Sequence, residues 1–545
     1  MPNKTVEKKS RTVREMLRNS ANLYPRRTAI EVKIGDRYKG YTYSRLYGDA
    51  KKLGSALYAR LGRGARVMII GENGYEYVLS YLSVTCFVGA AVPMPVSASK
   101  ETVCDAAELC EISAVIYSEA AKEAAEALES VEKIPFSKLA SIVRNSEEAA
   151  RLPAPQPASP AELAYTYGSE EIPRAAVLTH KNICFSINQM EKTLPMTAED
   201  KFYSILPTAY SYERICGTLY PLSVGATVTY GEGLYHLSTN LRKVRPTAML
   251  CIPLVLDRIY GKIWANIEKK GIGEKVRRAI RLTEAAGPLR TAVRRSVFAE
   301  IHDSLGGRLS VLICGGGTPS YESVHGLREF GIRALATYGC TESAALMCVN
   351  RRDLHEYTSV GMPVPDGLVD VYNMQQDGVG EIRYKGANLT SGYYRNAELT
   401  EAAIRDGWFY TGDMGYFDRR GFLHTVGKKS NMIVLAKRRA VFPEELEAKL
   451  CESPFVSDAV VVGSENARRA DYDIVAVIEP NTENMNAIYG NNLTHRDVER
   501  EILNVVEGVN AALEPYKRIA RTVIAKEALE KNELGKILRS KVRVD

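Results

Sequence analysis

Short apolar runs spaced by helix-length segments constrain this chain more than any other feature. Arg66-Val67-Met68-Ile69-Ile70 ends at Gly71 and is followed by an apolar helix. Ala90-Ala91-Val92 forms a second strand, and Ala114-Val115-Ile116-Tyr117 a third, before an Ala/Glu-rich helix beginning near Glu119. Alternation of this kind predicts parallel sheets with helices on both faces. Residues 77–96 are apolar enough to suggest a bilayer span, but Ser80, Ser83, Thr85, Gly89, Pro93 and Pro95 interrupt them. They are read as a buried helix followed by a short buried strand. Pro153, Pro155, Pro157 and Pro160 mark an exposed linker. Ser310-Val311-Leu312-Ile313-Cys314 is a further strand, broken by Gly315-Gly316-Gly317. Ligands in open α/β sheets sit at such carboxyl-end turns.

A chain of 545 residues should split into at least two domains. Its character changes near Lys428. The expected division is residues 1–428, a large doubly wound multi-sheet α/β domain, and residues 429–545, a small mobile α+β domain. The latter should carry strands at 460–462 and 474–478 with charged helices between them. A composition of 45% hydrophobic and 25% charged residues points to a soluble globular protein. The net charge of +7 is concentrated: residues 269–295 hold nine Lys/Arg against Glu274 and Glu284. That is a local patch, and no nucleic-acid motif accompanies it. The ten cysteines form no Cys-x-x-Cys pair and the seven histidines show no metal-ligand spacing, so neither zinc nor a disulfide framework is expected. Reduced thiols fit the cytoplasm, and residues 1–18 lack the apolar core of a signal peptide.

Five segments carry chemistry. The first is a glycine-containing turn after a strand, Tyr165-Thr166-Tyr167-Gly168-Ser169-Glu170-Glu171-Ile172-Pro173-Arg174. Such turns aim backbone N–H groups at a phosphate; taken alone, this one reads as a polar surface loop. Then come Tyr338-Gly339-Cys340-Thr341-Glu342, Asp406-Gly407-Trp408-Phe409-Tyr410-Thr411-Gly412-Asp413, Gly427-Lys428-Lys429-Ser430-Asn431, and Leu534-Gly535-Lys536-Ile537. Together they resemble the core motifs of the AMP-forming acyl-activating enzymes, the superfamily of acyl-CoA synthetases and luciferases. The resemblance runs from about residue 10 to 541. Leu206-Pro207-Thr208-Ala209-Tyr210-Ser211-Tyr212-Glu213-Arg214, with Val244-Arg245-Pro246-Thr247 and Ile252-Pro253-Leu254-Val255, is similar to the long-chain fatty acyl-CoA synthetase branch.

The resemblance implies residue roles. In the first loop Thr166, Gly168 and Ser169 would hold ATP phosphates, and Arg174 keeps the charge of the family's lysine. Gly316 and Gly317 would line the adenine with backbone. Tyr338 would pack on the adenine, beside Gly339 and Cys340. Thr341 would bond the α-phosphate and Glu342 would bind Mg²⁺, a hard cation suited to carboxylate and phosphate oxygens. Asp413 would take the ribose hydroxyls. Lys428 stands where an arginine normally touches ribose, without the bidentate fork. Asn431 takes the hinge pivot, and Lys536 would bridge the substrate carboxylate and the α-phosphate. Tyr210 and Ala209 replace the histidines of the acyl-site gate, and Arg438 replaces a glycine of the pantetheine tunnel.

The implied activity is ATP-dependent activation of a medium- or long-chain fatty acid to acyl-AMP, followed by thioester formation with CoA. An acyl carrier protein is the alternative acceptor, and a catalytically silent AMP- or acyl-binding protein the alternative function. The loop departs from the family at Tyr167, Glu170, Glu171 and Ala175. Like charges ~4 Å apart repel by about 4 kcal/mol at an effective dielectric near 20, so Glu170 and Glu171 should disfavour a triphosphate and impair the loop. Residues 269–295 read either as a solvated helical face or as a contact with the inner face of an anionic membrane.

Overall fold

The computed structural model describes residues 9–149, 152–167, 173–233, 236–285, 287–375, 378–435, 439–466, 471–490, 493–531 and 537–543. The chain divides into two compact units, residues 1–369 with 384–410, and residues 370–383 with 411–545. It is a mixed α/β protein with a large multi-sheet N-terminal part.

Among the described residues the first unit holds one nine-stranded and one six-stranded sheet. In the six-stranded sheet, strand Arg66–Ile70 runs parallel between Ala90–Met94 and Ala114–Tyr117, with Val67 level with Ala91 and Ala114. Strands covered on both faces read as continuous apolar runs, which is why these three stand out in the sequence. Helix Tyr75–Phe87 buries every residue except Glu76. Its serine hydroxyls are satisfied within the helix: Ser80 donates to the Glu76 carbonyl and Ser83 to the Leu79 carbonyl. The helix and the strand after it match the buried pair expected for residues 77–96, and no helix among the described residues is long and apolar enough to cross a membrane. In the larger sheet, parallel strands Ala248–Cys251, Val311–Cys314 and Arg333–Tyr338 lie side by side. Helix His180–Thr193 is fixed at its start by a capping box between Thr179 and Asn182.

The second unit is built on antiparallel strands Val456–Asn466 and Asp471–Pro480, with Arg521–Ile524 parallel to the latter. Here the sequence reading needs correction. The two apolar strands are not separated by charged helices: Asn466 pairs with Asp471 as the arms of a hairpin. The charged helix His495–Ala511 follows both strands and packs Ile502 and Val506 into their core with Val461, Ala476 and Leu446.

Candidate active site

Strand Pro160–Tyr167 pairs antiparallel with Pro173–Thr179, Thr166 opposite Arg174. The expected phosphate loop connects these strands; its Gly168, Ser169, Glu170 and Glu171 lie outside the described residues, so only its arms can be placed. On the outgoing arm, an Arg174 Nη lies 3.9 Å from Glu342 Oε1, and the guanidinium sits over the Tyr393 ring at 5.2 Å. Its Nε is buried and completes no hydrogen bond among the described residues.

Gly315–Gly317 and Tyr338–Glu342 continue the carboxyl ends of neighbouring parallel strands, whose Cys314 and Ala336 are level. Gly316 adopts φ +82°, a conformation that disfavours a side chain. Gly339 is required by close approach: a Cβ there would come within 2.3 Å of the Ala345 carbonyl oxygen. Thr341–Ser343 form one 3₁₀ turn, and Ala344 and Ala345 after it stand at φ 44° and 76°. The Asn388 amide holds this turn by donating to the carbonyls of Ser343 and Leu346, both at 2.6 Å. Glu342 is thereby set into a nearly closed pocket, where the Tyr393 phenol donates to its Oε1 at 2.8 Å. Burial and the Glu342 carboxylate hold the Tyr393 phenol protonated. Burial likewise raises the Cys340 thiol, so this side chain is packing rather than a nucleophile.

The segment bearing Tyr210 belongs to the same unit. Asn73 brackets it, its amide donating to the Leu206 carbonyl at 2.6 Å and its oxygen accepting from the Thr208 N–H at 2.7 Å. Tyr212 leans on the glycine turn: its hydroxyl donates to the Ile313 carbonyl at 3.1 Å, and a Cβ on Gly315 would meet its Cζ at 2.6 Å. Arg214 donates to the carbonyls of Thr208 and Ala209 at 2.9 and 2.5 Å. The same guanidinium forks onto Glu162 of the strand that leads to the phosphate loop, and the Tyr81 phenol donates to that carboxylate at 2.8 Å. Glu213 begins a π-helical turn, Glu213–Leu219, a feature frequent near functional sites. It is 1% exposed, and neither carboxyl oxygen completes a hydrogen bond among the described residues. Burial pushes its pKa up to about 8, the nearby Ser204 hydroxyl opposing.

The remaining expected residues lie in the second unit. Asp413 and Lys428 are level on antiparallel strands, with Lys428 Nζ 3.5 Å from Asp413 Oδ1. The Thr411 hydroxyl accepts the Asp413 N–H at 3.0 Å and donates to the Ile382 carbonyl. Asn431 Nδ2 donates to Glu444 Oε1 at 2.6 Å. Lys536 and Arg438 lie outside the described residues. Just beyond Lys536 in sequence, Arg539 Nη2 donates to both carboxylate oxygens of Glu447, and its Nη1 donates to the Val461 carbonyl.

Sequence reasoning missed Tyr393, Glu162, Glu444, Glu447 and Arg539. A single carboxylate inside the apolar run 160–167 was the one available signal, and it pointed to Glu162. What the first unit assembles suits an anion and a hard cation. The orphaned Arg174 Nε is a donor that an anionic group would satisfy, and Glu342 offers carboxylate oxygen. Mg²⁺ sites of one or two carboxylates completed by phosphate oxygens have this donor chemistry, so the residues present fit the ion.

The profile of the AMP-binding enzyme family matches residues 17–394, and that of the AMP-binding enzyme C-terminal domain matches residues 430–544. Long-chain-fatty-acid–CoA ligase FadD15 of Mycobacterium bovis is 26% identical over 84% of this chain and 82% of its own length. Human long-chain-fatty-acid–CoA ligase 1 is 26% identical over 67% of this chain and 56% of its own. Among solved structures, o-succinylbenzoate CoA synthetase from Bacillus subtilis bound to its acyl-adenylate superposes with a TM-score of 0.77 at 20% identity, covering 96% of this chain and 97% of that one. The Mycobacterium tuberculosis fatty acyl CoA synthetase gives 0.68 at 20% identity, covering 97% of each chain.

Proposed function

We propose that this chain, which belongs to the AMP-binding enzyme family on its long-chain acyl-CoA synthetase-like branch, is an AMP-forming acid–thiol ligase. A medium- or long-chain carboxylate attacks the α-phosphorus of ATP, pyrophosphate leaves, and an acyl-adenylate remains. A thiol then attacks the acyl carbonyl and AMP departs. CoA is the acceptor this reading favours, and a phosphopantetheinyl carrier protein, for which Arg438 speaks, is the alternative.

The observation that carries the reading is the set of Arg174, Glu342 and Tyr393 at the carboxyl end of strand Arg333–Tyr338, inside the region the family profile matches. In this reading Thr166, Gly168, Ser169 and Arg174 handle the outer phosphates. Gly316, Gly317 and Tyr338 to Cys340 serve the adenine, Thr341 the α-phosphate, and Asp413 with Lys428 the ribose. Glu342 would hold Mg²⁺, which would supply charge neutralisation on the phosphates. Tyr393 keeps the Glu342 carboxylate pointed, Lys536 steadies the charge that develops at the attacked phosphorus, and Tyr210 borders the acyl chain. Residues 429–545 act as a mobile domain turning at Asn431.

The test is fatty-acid-dependent exchange of labelled pyrophosphate into ATP by the purified chain, followed by AMP release with CoA or with a phosphopantetheinylated carrier protein. Exchange without AMP release on either acceptor would refute the thiol half of the reading. No exchange, with AMP binding retained, favours the silent AMP- or acyl-binding alternative that Tyr167, Glu170, Glu171 and Lys428 motivate.

A further inference from the structure

The first unit holds a cavity of about 240 Å³ at the end of the six-stranded sheet away from the candidate active site. Its lining includes Arg66, Ala90 and Pro160, each the first residue of its strand. The expected phosphate loop begins beyond Tyr167, the last residue of the third of these strands, about 20 Å away at the rise of a strand. Pro153 and Pro155, from the proline-rich segment before that strand, form a further wall. Arg14 fastens this wall, donating to the carbonyls of Leu152 and Pro153 at 3.3 and 2.9 Å. Its guanidinium lies over the ring of Phe87, another lining residue, at 4.7 Å.

Much of the polar lining is engaged within the protein. The Thr85 hydroxyl donates to the Ala161 carbonyl at 3.4 Å. Arg66 bonds the Cys110 carbonyl and pairs with Glu111, to which the Tyr394 phenol also donates. His180 differs. It lines the cavity yet is 1% exposed. Its Nδ1 accepts the Val13 N–H at 3.3 Å, and burial pushes its pKa down to about 4. The ring is therefore neutral near pH 7, with its proton on Nε2. That N–H meets no acceptor among the described residues, an arrangement a buried donor tolerates poorly. Arg63 lines the cavity from an exposed position and pairs with no carboxylate among the described residues. No Asp or Glu stands among the lining residues, and burial keeps the Cys86 thiol protonated. What the lining leaves unmatched is thus a neutral donor and a cation, set among Phe87, Val88 and Leu163.

We propose that this cavity is a second ligand site, one that takes a single-ring carboxylic acid. A cavity of about 150 Å³ accepts benzene, and sites for drug-sized molecules begin near 300 Å³, so the space here suits one ring with a small substituent. The apolar walls bury the ring. The His180 Nε2–H donates to a carboxylate oxygen, and the Arg63 charge favours the anion. The site goes beyond the proposed ligase activity and does not depend on it: binding is measured without turnover, at the opposite end of the strand from the phosphate loop.

The experiment is a fluorine NMR titration of the full chain with 4-fluorobenzoate, and with fluorobenzene as the same ring without its acid. Saturable binding of the acid, at least tenfold tighter than that of fluorobenzene, is the expected result. His180→Asn keeps an acceptor for the Val13 N–H but removes the Nε2 donor, and should weaken the acid roughly tenfold or more. Arg63→Gln should weaken it about threefold, as for an exposed ion pair. Ala154→Trp, at an exposed lining position, should block the space and abolish binding of both probes. Arg63 and Ala154 are exposed, so these two variants decide the matter even if His180→Asn fails to fold; unchanged thermal midpoints show which variants are intact. No saturable binding, or fluorobenzene held as tightly as the acid, overturns the proposal. So does an affinity for the acid that survives Ala154→Trp, which would put the probe elsewhere on the chain.

Discussion

Arg214 and Glu162 form a two-pronged ion pair, at 2.6 and 2.9 Å, in a place where their side chains are 1% and 0% exposed. The pair ties the strand entering the expected phosphate loop to the carbonyls of Thr208 and Ala209, two residues and one residue from Tyr210. Arg214→Met leaves the buried Glu162 carboxyl with Tyr81 as its remaining donor among the described residues. Breaking a buried pair from one side costs about 3–5 kcal/mol. Urea denaturation should show a loss of that size, and amide exchange at residues 208–212 should quicken. The balanced variant Glu162→Gln/Arg214→Met should lose distinctly less. Equal losses in the two variants would mean that the guanidinium acts through packing alone.

Glu213 makes stability depend on pH in a direction unusual for a carboxylate. Burial raises it from an ordinary 4.5 to about 8, so between those values the folded chain holds a proton that the unfolded chain has released. Its contribution is therefore full below about pH 4.5, declines as pH rises, and is exhausted above about 8. Glu213→Gln removes the titration. The difference in unfolding free energy between variant and wild type should move in the variant's favour by about 1.4 kcal/mol per pH unit across that window. A difference that stays flat from pH 5 to 8 would place an undetected hydrogen-bond donor on the carboxylate.

Asp413→Ala should abolish AMP binding by calorimetry if this carboxylate takes the ribose hydroxyls. Lys428→Arg, which restores the fork the family uses, should tighten it. Unchanged AMP affinity in Asp413→Ala would remove the ribose role.

Glu170→Thr/Glu171→Gly should improve the ATP dissociation constant by about tenfold or more, since 1.4 kcal/mol is one decade and, on the proposed reading, only ATP brings β- and γ-phosphates to that loop. AMP affinity should hardly change. One titration of each nucleotide in the presence of Mg²⁺ decides it; an ATP affinity that stays put or worsens would mean the glutamates point away or help hold the metal.

The parallel strands could be read in advance because each is apolar along its whole length, and local pattern suffices where both faces are covered. The motif residues were visible as short fixed strings. What the sequence withheld were partnerships set by tertiary folding: Tyr393 reaches Glu342 over 51 positions, Glu162 reaches Arg214 over 52, and Arg539 reaches Glu447 over 92. No periodicity records such pairings. The misplaced helices of the second unit have a simpler origin. The apolar stretches at 460–462 and 474–478 are the middles of strands at least twice as long, whose charged ends, among them Glu465, Asp471 and Asp473, look helical or looped when read singly. The basic stretch misled in the opposite sense, since counting charges does not reveal how many of them, like Arg294, are consumed in the interior.

Two alanines in succession at positive φ, Ala344 and Ala345, are an expense met during folding, because L-residues resist that conformation. Asn388 and the missing side chain at Gly339 keep the turn in that shape. A ligand arriving at Thr341 and Glu342 therefore meets a surface whose entropy has already been surrendered. The conformation there is settled once, on folding, and stiffness at these two alanines sets how sharply the turn can tell one ligand's shape from another's.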